Sequence, residues 1–233
     1  LEPLHDYVAL RKKVLGLKSL RMYDLYVPLA EETRKDIPYE EAIETVLQGL
    51  SPLGEEYLSV LEKGFTEKWI DVYENRGKRK GAYSWGSYGT HPYVLLNYNG
   101  TLRDVFTLAH EMGHALHSWY SHKEQPYIYG DYSIFLAEVA STTNEALLMD
   151  HLLSSDLSRE EKVYLFNYQL EQIRTTVYRQ TMFAEFERDM HALAEEGRPI
   201  TPDLLKSSWH ELNRKYYGPS IAVDDEIDVE WAR

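Results

Sequence analysis

From Ser158 to Glu196 the chain runs without a single glycine or proline. Ser158 and Glu161 stand at capping-box spacing, and Gly197 supplies a stop. The stretch "SREEKVYLFNYQLEQIRTTVYRQTMFAEFERDMHALAEEG" therefore predicts one very long helix, which commits much of the chain to a helical fold. Helical period recurs elsewhere. Residues 4–14 alternate apolar and basic side chains at helical spacing. "DIPYEEAIETVLQGL" carries Pro38 as a first-turn proline with acids behind it. "GEEYLSVLEKGFTEKWIDVYENRG" continues the pattern, with Gly77 as its stop. Further helices are predicted over about 102–122, about 133–154, and from the Thr201 cap and Pro202 to Gly218.

Two stretches read as strand. "SLRMYDLYVPLA" is β-prone and predicts a short strand. Residues 77–101, rich in glycine and tyrosine, read as strand–turn–strand, with "PYVLLNY" the better strand and Asn99-Gly100 a turn. The tail "PSIAVDDEIDVEWAR" has no stop signal and ends inside what reads as a new element. No repeat, low-complexity run or long linker divides the chain. The expectation is a mainly α single domain over 1–233, with a helical segment at 1–76, a sheet with two site helices at 77–154, and a long and a last helix at 158–218. A small antiparallel or mixed sheet should lie beside the helix at 102–122.

Composition removes several classes of function. A makeup of 43% hydrophobic and 27% charged residues is that of a water-soluble globular domain. No apolar run approaches the roughly 18 residues of a membrane span, so no membrane partner is expected. The start "LEPLHDYVALRKKVLG" lacks a signal-peptide core and an initiator Met, so the native N-terminus is expected upstream. The absence of cysteine excludes disulfides, thiolate metal sites and thiol nucleophiles, and fits a reducing cytoplasm. A net charge of −13 argues against nucleic acid, whose phosphates need a basic face.

The chemistry concentrates in "LAHEMGHALHSW", residues 108–119. His110 and His114 are four apart, so on a helix they rise one turn apart on one face, where both imidazoles reach one metal ion. Glu111 is offset by about 100° and flanks that ion, suiting a carboxylate that takes a proton from metal-bound water. This is the HExxH logic of zinc peptidases. A catalytic zinc needs a third protein ligand and an open position for water. A metzincin would place a His at position 120, which is Tyr here. His117 turns roughly 60° off the ligand face and reads as a helix-surface or supporting histidine.

The remaining candidates are carboxylates. Glu124 would reach back only through a sharp turn. Glu138, in "FLAEVAST", sits among apolar and small residues, where an acid is costly unless paired or coordinated, and it is the expected ligand. Glu145, seven further on, returns to the same face and is placed to fix a ligand histidine's tautomer. Gly113, a glycine inside a helix, marks a close approach by another segment.

These motifs resemble the oligoendopeptidase F branch of the thimet oligopeptidase family. "AHEMGHALHS", followed 28 positions after His110 by Glu138 in "AEVASTTNEALL", carries the likeness. "AYSWGSYGTHPYVLLNYNGTLRDVFTLAHEMGH", "FAEFE" and "YYGPSIAVDDEIDVEWAR" extend it over essentially the whole chain. The resemblance implies a zincin-like helical catalytic domain. It implies one zinc ion held by His110, His114 and Glu138, with Glu111 as general base and acid. It also implies cytoplasmic cleavage of oligopeptides in a deep channel. The stretch at 81–101 would then give an edge strand that binds extended peptide main chain, with Gly86, Gly89 and His91 as candidate contacts.

The family carries a further His and a group of Tyr beyond "EWAR". His210, Tyr216 and Tyr217 do not match them. The chain is accordingly expected to belong to a longer polypeptide, whose remainder is a partner of this part, and to be slow or inactive alone. Two rival readings stand beside the endopeptidase. A non-catalytic zinc- or peptide-binding helical module would recruit a fourth ligand such as His117 and close the shell. A zinc exopeptidase would trim peptide ends without internal cuts.

Overall fold

The structure, a computed structural model, describes residues 1–31 and 36–232. In chain order these form α1 (Glu2–Val14), β1 (Leu20–Arg21), α2 (Tyr39–Gly49), α3 (Glu55–Thr66), β2 (Ile70–Asp71), β3 (Tyr83–Trp85) and β4 (Tyr93–Leu95). Then follow α4 (Leu102–Glu124), α5 (Ile134–Leu153), α6 (Arg159–Gln172), a π-helical segment Ile173–Tyr178, α7 (Arg179–Glu195), α8 (Pro202–Tyr217) and β5 (Ile221–Ala222). A 3₁₀ segment, Asp225–Ala232, ends the described chain. The architecture is mainly α with small sheets, as the periodicity predicts. Among the described residues no helix is long and apolar enough to cross a membrane.

The chain gathers into two compact units, residues 32–162 and residues 1–31 with 163–233. The first holds α2 to α5 and the three-stranded sheet. Its sheet has the order β2-β4-β3, with β2 parallel to β4 and β3 antiparallel to it. β4 is therefore central, and "PYVLLNY" buries Val94 and Leu96. α4 opens on a capping box. Thr101 Oγ1 accepts from Asp104 N, and Asp104 Oδ2 accepts from Thr101 N. Its broad apolar face buries Val105, Phe106, Leu108, Ala109, Met112, Ala115 and Leu116. That face packs on α5, on α3 and on the sheet, which fixes the roll of α4 and hence where its histidines point.

The second unit is built on an apolar cluster around Leu4, Val8, Leu20, Met182, Phe186 and Trp209. β1 and β5 pair in parallel, Leu20 opposite Ile221. Beside them Arg11 is buried. Its guanidinium donates to Tyr7 Oη, Glu171 Oε1 and the carbonyls of Asp24 and Val27. Glu171 also binds Arg174 at 2.6 Å, so one carboxylate serves two buried cations at the start of the π segment.

Several expectations need correction. The helix predicted to run to Gly77 ends at Thr66, because Lys68 takes a left-handed φ of 62° and the chain then enters β2. Trp69 is buried, and its carbonyl accepts from Val94 N at 2.8 Å. Pro38 is the residue before the helix rather than inside its first turn. "SLRMYDLYVPLA" yields only the two residues of β1 before a 3₁₀ turn at Met22–Tyr26. The long helix does run from the Ser158–Glu161 capping box to Gly197, but through the π segment.

Candidate active site

His110 and His114 lie one turn apart on α4. Their rings stand nearly perpendicular, at 87°, and their Nε2 atoms are 3.1 Å apart. Glu138 reaches across from α5. Its Oε2 lies 3.5 Å from His110 Nε2 and 3.7 Å from His114 Nε2. Three lone-pair atoms thus converge from two helices. Two unprotonated imidazole nitrogens this close have no hydrogen to share, and a cation among them satisfies all three. Two nitrogens and one carboxylate oxygen are a donor set that suits zinc and leaves a coordination position open.

The neighbours of this group set its protonation. Glu145 Oε1 is 2.5 Å from His110 Nδ1, so Nδ1 keeps its hydrogen and Nε2 presents a lone pair. Burial lowers the His110 imidazole, but Glu145, Glu111 and Glu138 outweigh that effect and leave it raised. Burial and the His110 charge lower His114. Ser141 Oγ donates to Glu138 Oε2 at 2.8 Å and steadies the carboxylate. Glu138 itself is 45% exposed, so it is not the buried acid that its apolar neighbours imply. Ile134, Phe135, Leu136 and Val139 around it are exposed as well.

Glu111 is different. It is 6% exposed, and its Oε2 is buried without a hydrogen-bond partner. Burial pushes its carboxyl up to about 7, with His110 opposing and Glu138 and Glu145 reinforcing the rise. A buried acid with an idle oxygen beside three candidate ligand atoms could exchange a proton with something bound there.

The other expected site residues lie apart from this group. His117 stacks on Tyr132 with ring centroids 3.7 Å apart, and its Nδ1 is buried without a partner. It does not join the ligand atoms of His110, His114 and Glu138. Gly86 and Gly89 follow β3, an edge of the sheet where Trp85 is 76% exposed. A Cβ on Gly86 would come 3.1 Å from Pro92 Cα, and Gly89 has a φ of 87°. His91 stacks flat on Trp69, and its Nδ1 pairs with the Pro92 carbonyl at 2.7 Å.

Sequence reasoning passed over Ser141, whose only signal is its place three residues after Glu138. It also passed over a second group in the other unit, His210, Asp225 and Asp228, where His210 Nδ1 and Asp228 Oδ1 are 2.7 Å apart. There Asp225 is exposed and the arrangement reads as a hydrogen-bonded His210–Asp228 pair.

The class follows from comparison with known proteins. A profile of peptidase family M3 matches residues 1–232, and the chain belongs to that family. Within it the chain is 54% identical over 230 residues to Oligopeptidase PepF of Bacillus subtilis (strain 168), covering 99% of this chain and 34% of that protein. It is 49% identical to the chromosomal oligoendopeptidase F of Lactococcus lactis subsp. cremoris, covering 99% of this chain and 38% of that one. The solved oligoendopeptidase-F of Enterococcus faecium matches with a TM-score of 0.67 at 37% identity, over 99% of this chain and 33% of that one. The motif resemblance is thus borne out. The chain spans about a third of the length of these relatives.

Proposed function

We propose that this chain carries the metal centre of a zinc endopeptidase that hydrolyses internal bonds of short oligopeptides in the cytoplasm. The observation that carries this reading is the convergence of His110 Nε2, His114 Nε2 and Glu138 Oε2 beside the idle carboxylate oxygen of Glu111. Family membership and the names of the relatives support the reaction class.

His110, His114 and Glu138 hold the ion, one per chain. Bound zinc supplies Lewis acidity towards water and the scissile carbonyl. Glu145 holds His110 in the tautomer that ligates. Glu111 accepts a proton from the attacking water and returns it to the leaving amine nitrogen, and burial, by pushing its carboxyl up to about 7, suits it to both transfers near neutral pH. The outer edge of β3 offers main-chain groups to an extended peptide, and Gly86, Gly89 and His91, in the turn that follows it, are the candidate contacts. His117 braces the Tyr132 loop that joins the two ligand helices.

The test is bound metal in purified 1–233 by plasma mass spectrometry, beside Glu138→Ala, together with mass-spectrometric mapping of cuts in a short peptide. About one zinc per chain, lost in the variant, with internal cuts that are slow at best, is the expected result. Absence of zinc from the unmodified chain refutes the reading. Trimming from peptide ends alone replaces it with an exopeptidase.

A further inference from the structure

Asn144 is 1% exposed and stands on α5 one residue before Glu145. Its amide touches two other helices. Nδ2 donates to the carbonyl of Ala109 on α4 at 3.0 Å, and Oδ1 accepts from the hydroxyl of Tyr57 on α3 at 3.0 Å. Ala109 is the residue immediately before His110. Gly113, one turn further along α4, leaves the room this contact needs. A Cβ there would lie 2.7 Å from Ser141 Cα and 3.1 Å from Asn144 Nδ2.

An amide has a donor end and an acceptor end, and the two are not interchangeable here. The Ala109 carbonyl accepts only, so a flipped amide would set two oxygens face to face in a buried site. Tyr57 holds the orientation by donating to Oδ1. Burial pushes its phenol up to about 12, against the pull of the Asn144 bond, so the hydroxyl keeps its proton at any working pH.

We infer that Asn144 is a positioning residue for the metal ligands. Its oriented amide sets the register of the Glu138 helix against the His110–His114 helix, and Tyr57 acts on the ligands only through it. The inference rests on the zinc reading above. A ligand triad drawn from two helices holds its ion only at one relative placement of those helices. Ala109 and Asn144 pin that placement beside the first histidine, where an error in register is passed to the ligands least diminished.

The experiment uses Asn144→Leu, which keeps the bulk and removes both polar ends, Tyr57→Phe, which removes one hydroxyl, and the double variant. The readouts are the zinc dissociation constant by chelator competition, the visible spectrum of the cobalt-substituted chain, and the urea midpoint of the metal-free chain. Asn144→Leu is expected to weaken zinc about 10- to 100-fold and to change the cobalt bands. Tyr57→Phe is expected to weaken zinc about five-fold, and to add nothing in the Asn144→Leu background. A lower urea midpoint with unchanged zinc affinity and cobalt spectrum makes Asn144 a packing contact and overturns the inference. If Asn144→Leu does not fold, Tyr57→Phe decides alone, and unchanged affinity and spectrum overturn it. An unmodified chain that binds no zinc removes the zinc reading and this inference together, whereas zinc binding that ignores the variants removes this inference only.

Discussion

Glu145 meets His110 at Nδ1, the ring nitrogen that faces away from His114, with 2.5 Å between the heavy atoms. The carboxylate thereby selects which nitrogen His110 offers. Replacing it with alanine frees the ring to turn and to change tautomer, and zinc affinity should fall about 10- to 100-fold. Glu145→Gln keeps a neutral acceptor and should lose less. Chelator competition on the two variants checks the order, and equal affinities in both and in the parent would count against it.

Glu111 lies outside the group of converging ligand atoms from His110, His114 and Glu138. Glu111→Gln should keep zinc at the parent's stoichiometry while peptide hydrolysis falls by about 10²- to 10⁴-fold. Metal analysis and turnover on the same sample separate the two effects. Loss of zinc in step with activity would make Glu111 a ligand instead of a proton carrier.

Gly113→Ala runs against helix propensity. Alanine favours a helix over glycine by about 1 kcal/mol. Here the added methyl would sit 2.7 Å from Ser141 Cα on α5, a backbone atom that cannot swing aside. Overpacking of this kind typically costs about 1–3 kcal/mol, so the variant should be less stable in urea and hold zinc less tightly. A rise in stability would show that α4 and α5 part without penalty.

Zinc should act on the folded chain by mass action. At a hundredfold excess over its dissociation constant it adds about 2.7 kcal/mol, and a chelator should reverse the gain. Glu138→Ala, which deletes the ligand proposed from α5, should abolish most of the shift. Thermal melting with and without zinc measures this directly.

The legible part of this molecule is local. The spacing of His110 and His114, the Ser158–Glu161 cap and the Thr201 cap each express themselves within one or two helical turns. What escaped depends on partners far along the chain. "WIDVY" carries helical period, yet Ile70 pairs with Val94 and Lys68 breaks the helix to allow it. Asn144 reads as one more polar residue in "ASTTNE" until Ala109 and Tyr57 arrive beside it. The apolar and small neighbours of Glu138 mark an acid that needs a partner, yet it stands half in solvent and meets the histidines because α5 lies against α4 there. Nothing in the periodicity of residues 159–195 marks where the π segment begins.

On the proposed reading, the triad takes two ligands, His110 and His114, from one rigid rod and the third, Glu138, from another. Ion size is therefore translated into the distance between α4 and α5. A smaller ion asks the rods to close, and Gly113 against Ser141 already holds them near contact. A larger ion would ask them to part, against the bond from the Asn144 amide to the Ala109 carbonyl. On that reading, selectivity among divalent metals would be mechanical as well as chemical, a gauge with a stop on one side and a tether on the other.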